Sequence, residues 1–78
     1  MNRVKISINN EHDAMELVNS LAPMSGNFSL VTENYKECVN AKSYLGVLYF
    51  MVIHPGDTYL FSEDGMIPDE YMEDDADV

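Results

Sequence analysis

The sequence predicts a small α+β domain, an open-faced two-layer sandwich, on three observations. Apolar and polar residues alternate near the N-terminus, the alternation returns in later short segments, and two stretches between them carry apolar residues at helical spacing. The predicted order is β-α-β-β-α-β, with two helices covering one face of a four-stranded sheet. Seventy-eight residues provide one core and no second domain, because a chain this short buries only roughly 60% of its unfolded surface.

Val4, Ile6 and Ile8 alternate with Lys5 and Ser7, which predicts a half-buried strand from Arg3 to Ile8. After the cap or turn residues Asn9 and Asn10, the apolar positions Ala14, Leu17, Val18 and Leu21 mark one face of a helix that Pro23 and Gly26 end. Phe28 and Leu30 flank Ser29, and beyond the polar Thr32-Glu33-Asn34 turn the segment Tyr35 to Val39 is expected to return antiparallel.

From Ala41 to Met51 the residues Leu45, Val47, Leu48, Tyr49, Phe50 and Met51 make a second helix apolar around most of its circumference. Such a helix either packs on two sides or presents a binding face. The turn His54-Pro55-Gly56-Asp57 leads to a last strand, Thr58 to Ser62, before Glu63-Asp64-Gly65. The domain is drawn over residues 1–65, with an acidic tail over 66–78. In the tail, Pro68, Asp69 and Glu70 favour a helix start while Asp74, Asp75 and Asp77 oppose its continuation, so a short turn is expected.

Fourteen acidic residues against four basic ones, Arg3, Lys5, Lys36 and Lys42, give a formal net charge of −10. That field repels nucleic-acid phosphates, so no nucleic-acid partner is expected. The apolar run Tyr44 to Ile53 is about half of the ~20 residues a membrane span requires, and no membrane partner is expected either. Without a secretory apolar stretch at the start, and with the single cysteine Cys38, the expected compartment is the cytoplasm.

The segment Val39-Asn40-Ala41-Lys42-Ser43-Tyr44-Leu45-Gly46-Val47-Leu48 resembles the one that opens the second helix in the HPr (histidine-containing phosphocarrier protein) family. The resemblance covers most of residues 3 to 65, extending over Leu17 to Leu30 without a gap and again over Gly56 to Gly65. It implies the open-faced sandwich of that family, with its third helix lost or reduced to the tail turn. The exposed surface so left implies a homodimer or a partner contact.

Family members carry a phosphoryl group between proteins of the bacterial sugar phosphotransferase system, on a histidine in an H-x-R-P-A motif at the start of helix one. That motif is absent here. Counting back along the gapless helix sets Asn10 at the histidine position, His12 at the arginine position and Asp13 at the proline position. A second register makes His12 the active residue, with Asp13 and Ala14 after it and no arginine to hold the phosphoryl oxygens. The loop before the helix is about two residues shorter than the family's, the hairpin turn about two longer and the last turn about one longer, at Pro55.

The resemblance also implies a regulatory site. In some members an ATP-dependent kinase phosphorylates the serine that matches Ser43, and the product binds a transcriptional regulator. A helix start accommodates phosphate charge, and Lys42 adds a cation, while a serine at this place also serves as a plain N-cap. Leu45, Leu48 and Phe50, with Lys42, are the expected partner-binding residues, core packing being the alternative for each apolar one. Cys38 reads as a structural thiol and His54 as a loop residue. The run Asp69, Glu70, Glu73, Asp74, Asp75 and Asp77 reads as a solvated tail, since it lacks the ligand alternation and glycine of a calcium loop.

No phosphate loop, metal cluster or nucleophilic triad spacing occurs, so neither an independent enzyme nor a cofactor is expected. Three functions stay open: a non-catalytic regulatory protein with partners of the phosphotransferase or carbon-regulation type, a working phosphocarrier using His12, and an interaction module that kept only the fold.

Overall fold

Alternation along the sequence becomes pairing in a four-stranded antiparallel sheet. The computed structural model describes residues 2–71. In it, β1 (Arg3–Lys5), α1 (Glu11–Leu21), β2 (Phe28–Val31), β3 (Cys38–Asn40), α2 (Tyr44–Ile53) and β4 (Tyr59–Ser62) follow one another. The strands lie in the order β1-β4-β2-β3, so β4 is central and bonds to both β1 and β2. The protein is thus a small α+β sandwich with helices on one side of its sheet.

Register explains which side that is. Val4 pairs with Leu60, Leu60 with Leu30 and Leu30 with Val39, an apolar row across all four strands. Val4, Leu30 and Leu60 are buried in a cluster with Ala14, Leu17 and Leu21 of α1 and Val47 and Phe50 of α2. Because side chains alternate along a strand, the two flanking rows point the other way. One row holds Arg3, Phe61, Ser29 and Asn40, and the next holds Lys5, Tyr59, Val31 and Cys38.

Local chemistry starts both helices. Asn10, in extended backbone at φ −158°, accepts a hydrogen bond at Oδ1 from the Asp13 N–H at 2.8 Å, while the Asp13 carboxylate accepts one from the Asn9 N–H. Ser43 does the same for α2, its Oγ accepting from the Gly46 N–H at 3.2 Å. The bonds to Asn10 and Ser43 each satisfy a donor that a helix leaves unpaired at its first turn. Gly46 has a second role: a Cβ there would stand 3.2 Å from the Asn40 carbonyl oxygen and 3.4 Å from the Val39 Cβ, so its absence lets α2 lie close against β3.

Several boundaries differ from the sequence expectation. The first strand was expected to reach Ile8, but its ladder ends at Lys5 where the partner strand begins at Tyr59. Ile6 and Ile8 still turn inward, and the Ile6 N–H donates to the Thr58 carbonyl. Tyr35 to Glu37 belong to the connection and not to a strand. Thr32 Oγ1 accepts from the N–H groups of Lys36 and Glu37, and Tyr35 takes a φ of 60°, so the chain turns there and pairing starts at Cys38. The second helix starts at Tyr44 and not at Ala41, because the Lys42 N–H is taken by Asn40 Oδ1 and the Ala41 N–H by the Phe28 carbonyl.

The body also runs past residue 65, where the sequence reading ended it. Ile67 is buried in the core, Tyr71 packs against it, and the Ser20 hydroxyl donates to the Glu70 carboxylate at 2.7 Å. The expected tail turn is present at 69–71. Glu73, Asp74, Asp75 and Asp77 lie outside the described residues.

Candidate functional site

Ser43 stands where β3 hands the chain to α2. Its backbone N–H donates to the Asn40 carbonyl and its carbonyl accepts from Val47, so both sides of the residue are fixed. The side chain is half-buried. Beyond it, the N–H groups of Tyr44 and Leu45 have no carbonyl four residues back within the helix. The first turn of α2 contains no acidic residue, in contrast to α1, whose first turn holds Glu11 and Asp13. In a chain of net charge −10, this helix start is therefore the one of the two with room for added negative charge.

Lys42 does not stand free beside it. Its Nζ donates to the Met24 carbonyl and lies 5.7 Å from the centre of the Phe28 ring. The lysine thus ties the start of α2 to the middle of the α1–β2 connection, and a phosphate on Ser43 would compete with that carbonyl for its donors.

The residues expected to form a partner-binding face divide in two. Leu45 is 76% exposed, whereas Leu48 is half-buried against the core and Phe50 is fully buried. Phe50 is corrected to a core residue: it packs beside Val47 under α2, and its ring lies 4.9 Å from that of His54. The exposed apolar positions of α2 are instead Leu45, Tyr49, Val52 and Ile53. Their spacing of four, three and one puts them on one helical face.

At the start of α1, Asn10 is a capping residue and His12 lies on the exposed surface, its side chain 79% accessible and its Nε2 3.3 Å from Glu16 Oε2. Glu11 and Asp13 flank it in sequence. Arg3, the sole arginine of the chain, is stacked on Tyr35 and Tyr59 on the far face of the sheet. His12 and Arg3 are therefore on opposite layers. Cys38 is an exposed thiol on β3, an edge strand.

One cluster has no counterpart in the sequence reading. His54 is not a simple loop residue: it caps the C-terminus of α2, its N–H bonded to the Phe50 carbonyl, and its Nε2 lies 2.7 Å from Glu37 Oε1. The Tyr49 hydroxyl donates to the same carboxylate at 3.1 Å. These bonds, first from His54 and then from Tyr49, hold the Glu37 carboxyl below its usual range, and the carboxylate in turn raises the Tyr49 phenol. Nothing in the local sequence joins positions 37 and 54; the sheet and helix bring them together.

Among the described residues no group of three or more histidine, cysteine or acidic side chains is arranged to hold a metal ion, and no helix is long and apolar enough to cross a membrane. A shallow cleft between α1 and the 69–71 turn is lined by Glu16, Asn19, Ser20, Glu70 and Tyr71, and burial with nearby Glu70 raises the Tyr71 phenol. Compared with family models, with curated proteins and with solved structures, the chain matches none.

Proposed function

We propose that this chain is a non-catalytic regulatory protein of the HPr type, switched by phosphorylation at Ser43 and read by protein partners along α2. The observation that carries the reading is the Ser43 cap. Its hydroxyl sits at a helix start with no acidic residue in the first turn, next to the N–H groups of Tyr44 and Leu45. A phosphate of about −1.5 to −2 charge is favoured there by the helix dipole and by those donors.

The resemblance over residues 39–48 supports the same position, and the order β-α-β-β-α-β with a four-stranded sheet agrees with what that resemblance implies. Carrier chemistry is disfavoured. Asn10 has no group that accepts a phosphoryl, and His12 has three carboxylates near it in sequence and no guanidinium on its layer.

A second reading, an interaction module without a switch, draws on the exposed stripe Leu45, Tyr49, Val52 and Ile53. Both readings use α2 as the contact element, and modification separates them. The test is intact-mass analysis with peptide mapping after two incubations, one with ATP and the family's serine kinase, the other with phosphoenolpyruvate and enzyme I, both proteins from the same source. One phosphoryl group on Ser43, absent in Ser43→Ala, is the expected result. Acid-labile phosphate on His12 would establish a carrier instead, and no modification in either arm would leave the interaction module.

A further inference from the structure

The strand positions on the sheet face turned away from the helices have a charge balance opposite to that of the whole chain. Acidic residues outnumber basic ones fourteen to four overall. Yet the strand positions on this face hold Arg3 and Lys5 and no carboxylate. Among the described residues neither cation is within ion-pair distance of an acidic side chain, and the two pairs that occur, His12–Glu16 and His54–Glu37, both use histidine. A half-buried guanidinium and an exposed ammonium, neither ion-paired among the described residues, are not explained by charge pairing within the fold.

Aromatic rings hold these cations in place. The Arg3 guanidinium lies 4.4 Å from the centre of the Tyr59 ring and 4.6 Å from that of Tyr35, and the Lys5 ammonium lies 6.0 Å from Tyr59. Tyr35 meets Phe61 edge-on at 6.3 Å, so the rings support one another. The Glu33 carbonyl takes one bond from Arg3 Nη1 at 2.8 Å. A guanidinium has five N–H donors, so the others remain for a ligand. The two ring contacts and the bond to Glu33 hold the guanidinium in place, which lowers the entropy lost when a carboxylate binds it.

We infer that this face docks an acidic peptide segment of a partner protein. Carboxylates of the segment bond Arg3 and Lys5, and its apolar side chains lie over Tyr59 and Phe61, which are half-buried and, among the described residues, lie on the sheet face away from α1 and α2. Charge complementarity fixes the class of partner, and the size of the positive patch separates a peptide from a nucleic acid. Glu33 and Asp57, joined through the Glu33 N–H and Asp57 Oδ1 at 2.9 Å, stand at one end of the patch. A polyanion of many phosphates would run past Arg3 onto these acids and into the field of a −10 chain. A segment with a few carboxylates stays within about one Debye length, ~8 Å, of the two cations.

The surface is distinct from α2 and from Ser43, so it stands whether or not Ser43 is modified. The test is a titration of the isotope-labelled full chain with a blocked six-residue peptide of alternating glutamate and phenylalanine, followed by amide chemical shifts. Shifts centred on Arg3, Lys5, Tyr59 and Phe61 are expected, with an affinity that falls as salt rises. Lys5→Gln, which leaves the Arg3 stack intact, is expected to weaken binding about threefold, and Arg3→Gln with Lys5→Gln about tenfold or more, roughly 1.4 kcal/mol. Asn19→Ala on α1 is expected to bind as the unaltered chain does. Shifts located elsewhere, or equal affinity in Lys5→Gln, would overturn the inference. Tighter binding of a six-residue oligothymidylate than of the peptide would also overturn it and give the face to single-stranded nucleic acid.

Discussion

His54 and Glu37 meet at 2.7 Å, imidazole Nε2 against carboxylate Oε1, and their contact ties the C-terminal end of α2 to the residue that leads into β3. Tyr49 adds its hydroxyl to the same carboxylate. Three side chains from two elements thus close one end of the helix–sheet contact.

This cluster makes stability depend on pH in a stated direction. The Glu37 carboxyl is lowered in the folded chain from its ordinary value of 4.5. Its contribution is therefore complete above that value and is lost as pH falls through the lower, folded one. Melting temperatures of the unaltered chain and of Glu37→Gln, measured from about pH 7 down to about pH 3, should differ most at the upper end and converge below 4.5. A constant gap across the series would show that the charge of Glu37 contributes nothing.

Phe50 and Leu45 should respond to truncation in opposite ways. Phe50 has no exposed surface, so Phe50→Ala removes a buried ring and leaves a cavity, at a cost of about 3–5 kcal/mol. Leu45 is 76% exposed, and Leu45→Ala should change stability by no more than about 0.5 kcal/mol. Urea unfolding midpoints of the two variants check the assignment of α2's inner and outer faces.

Ser43→Ala should cost about 1 kcal/mol, the usual loss when a capping oxygen is removed from a helix start. Ser43→Asp keeps a capping oxygen and adds a negative charge where the dipole favours it, so it should cost less. Equal losses in denaturant unfolding would mean that the bond to the Gly46 N–H is not what Ser43 contributes.

Gly46→Ala sets helix propensity against space. Alanine gains about 1 kcal/mol over glycine in an ordinary helix interior. Here its Cβ would press on the Asn40 carbonyl oxygen at 3.2 Å, and β3 backbone paired to β2 has little freedom to retreat. The expected result is no gain or a net loss in unfolding free energy; a gain near the full propensity value would show that α2 can move off β3.

The parts of this molecule that depend on neighbours in sequence were legible from it. Asn10 and Ser43 act on N–H groups three residues ahead, and the inward row Val4, Leu30 and Leu60 follows from simple alternation. The faces of α2 were not legible, because Tyr44 to Ile53 contains no charged residue to mark the outside. For Leu48 and Phe50 the sequence therefore leaves partner contact and core packing both open, and it does not single out Tyr49, Val52 and Ile53; their spacing from Leu45 finds them once Val47 and Phe50 are known to face inward. Tyr35 has strand propensity, but Thr32 Oγ1 captures the N–H groups just after it and makes a turn. The His54–Glu37 contact spans seventeen residues and exists only because the fold is complete.

The central place of β4 sets the order in which a nascent chain can finish. Among the described residues β4 is the last strand to be synthesised, and β1, the first, pairs with it alone. The β2–β3 hairpin is complete in sequence before α2 begins, but Arg3 to Lys5 must wait with unpaired edges until Tyr59 to Ser62 has been made. Translation at about 5–20 residues per second leaves that strand exposed for seconds. A chain broken off before Tyr59 would be not a smaller domain but a hairpin with an unpaired edge and a stray first strand, a species suited to aggregation or to clearance.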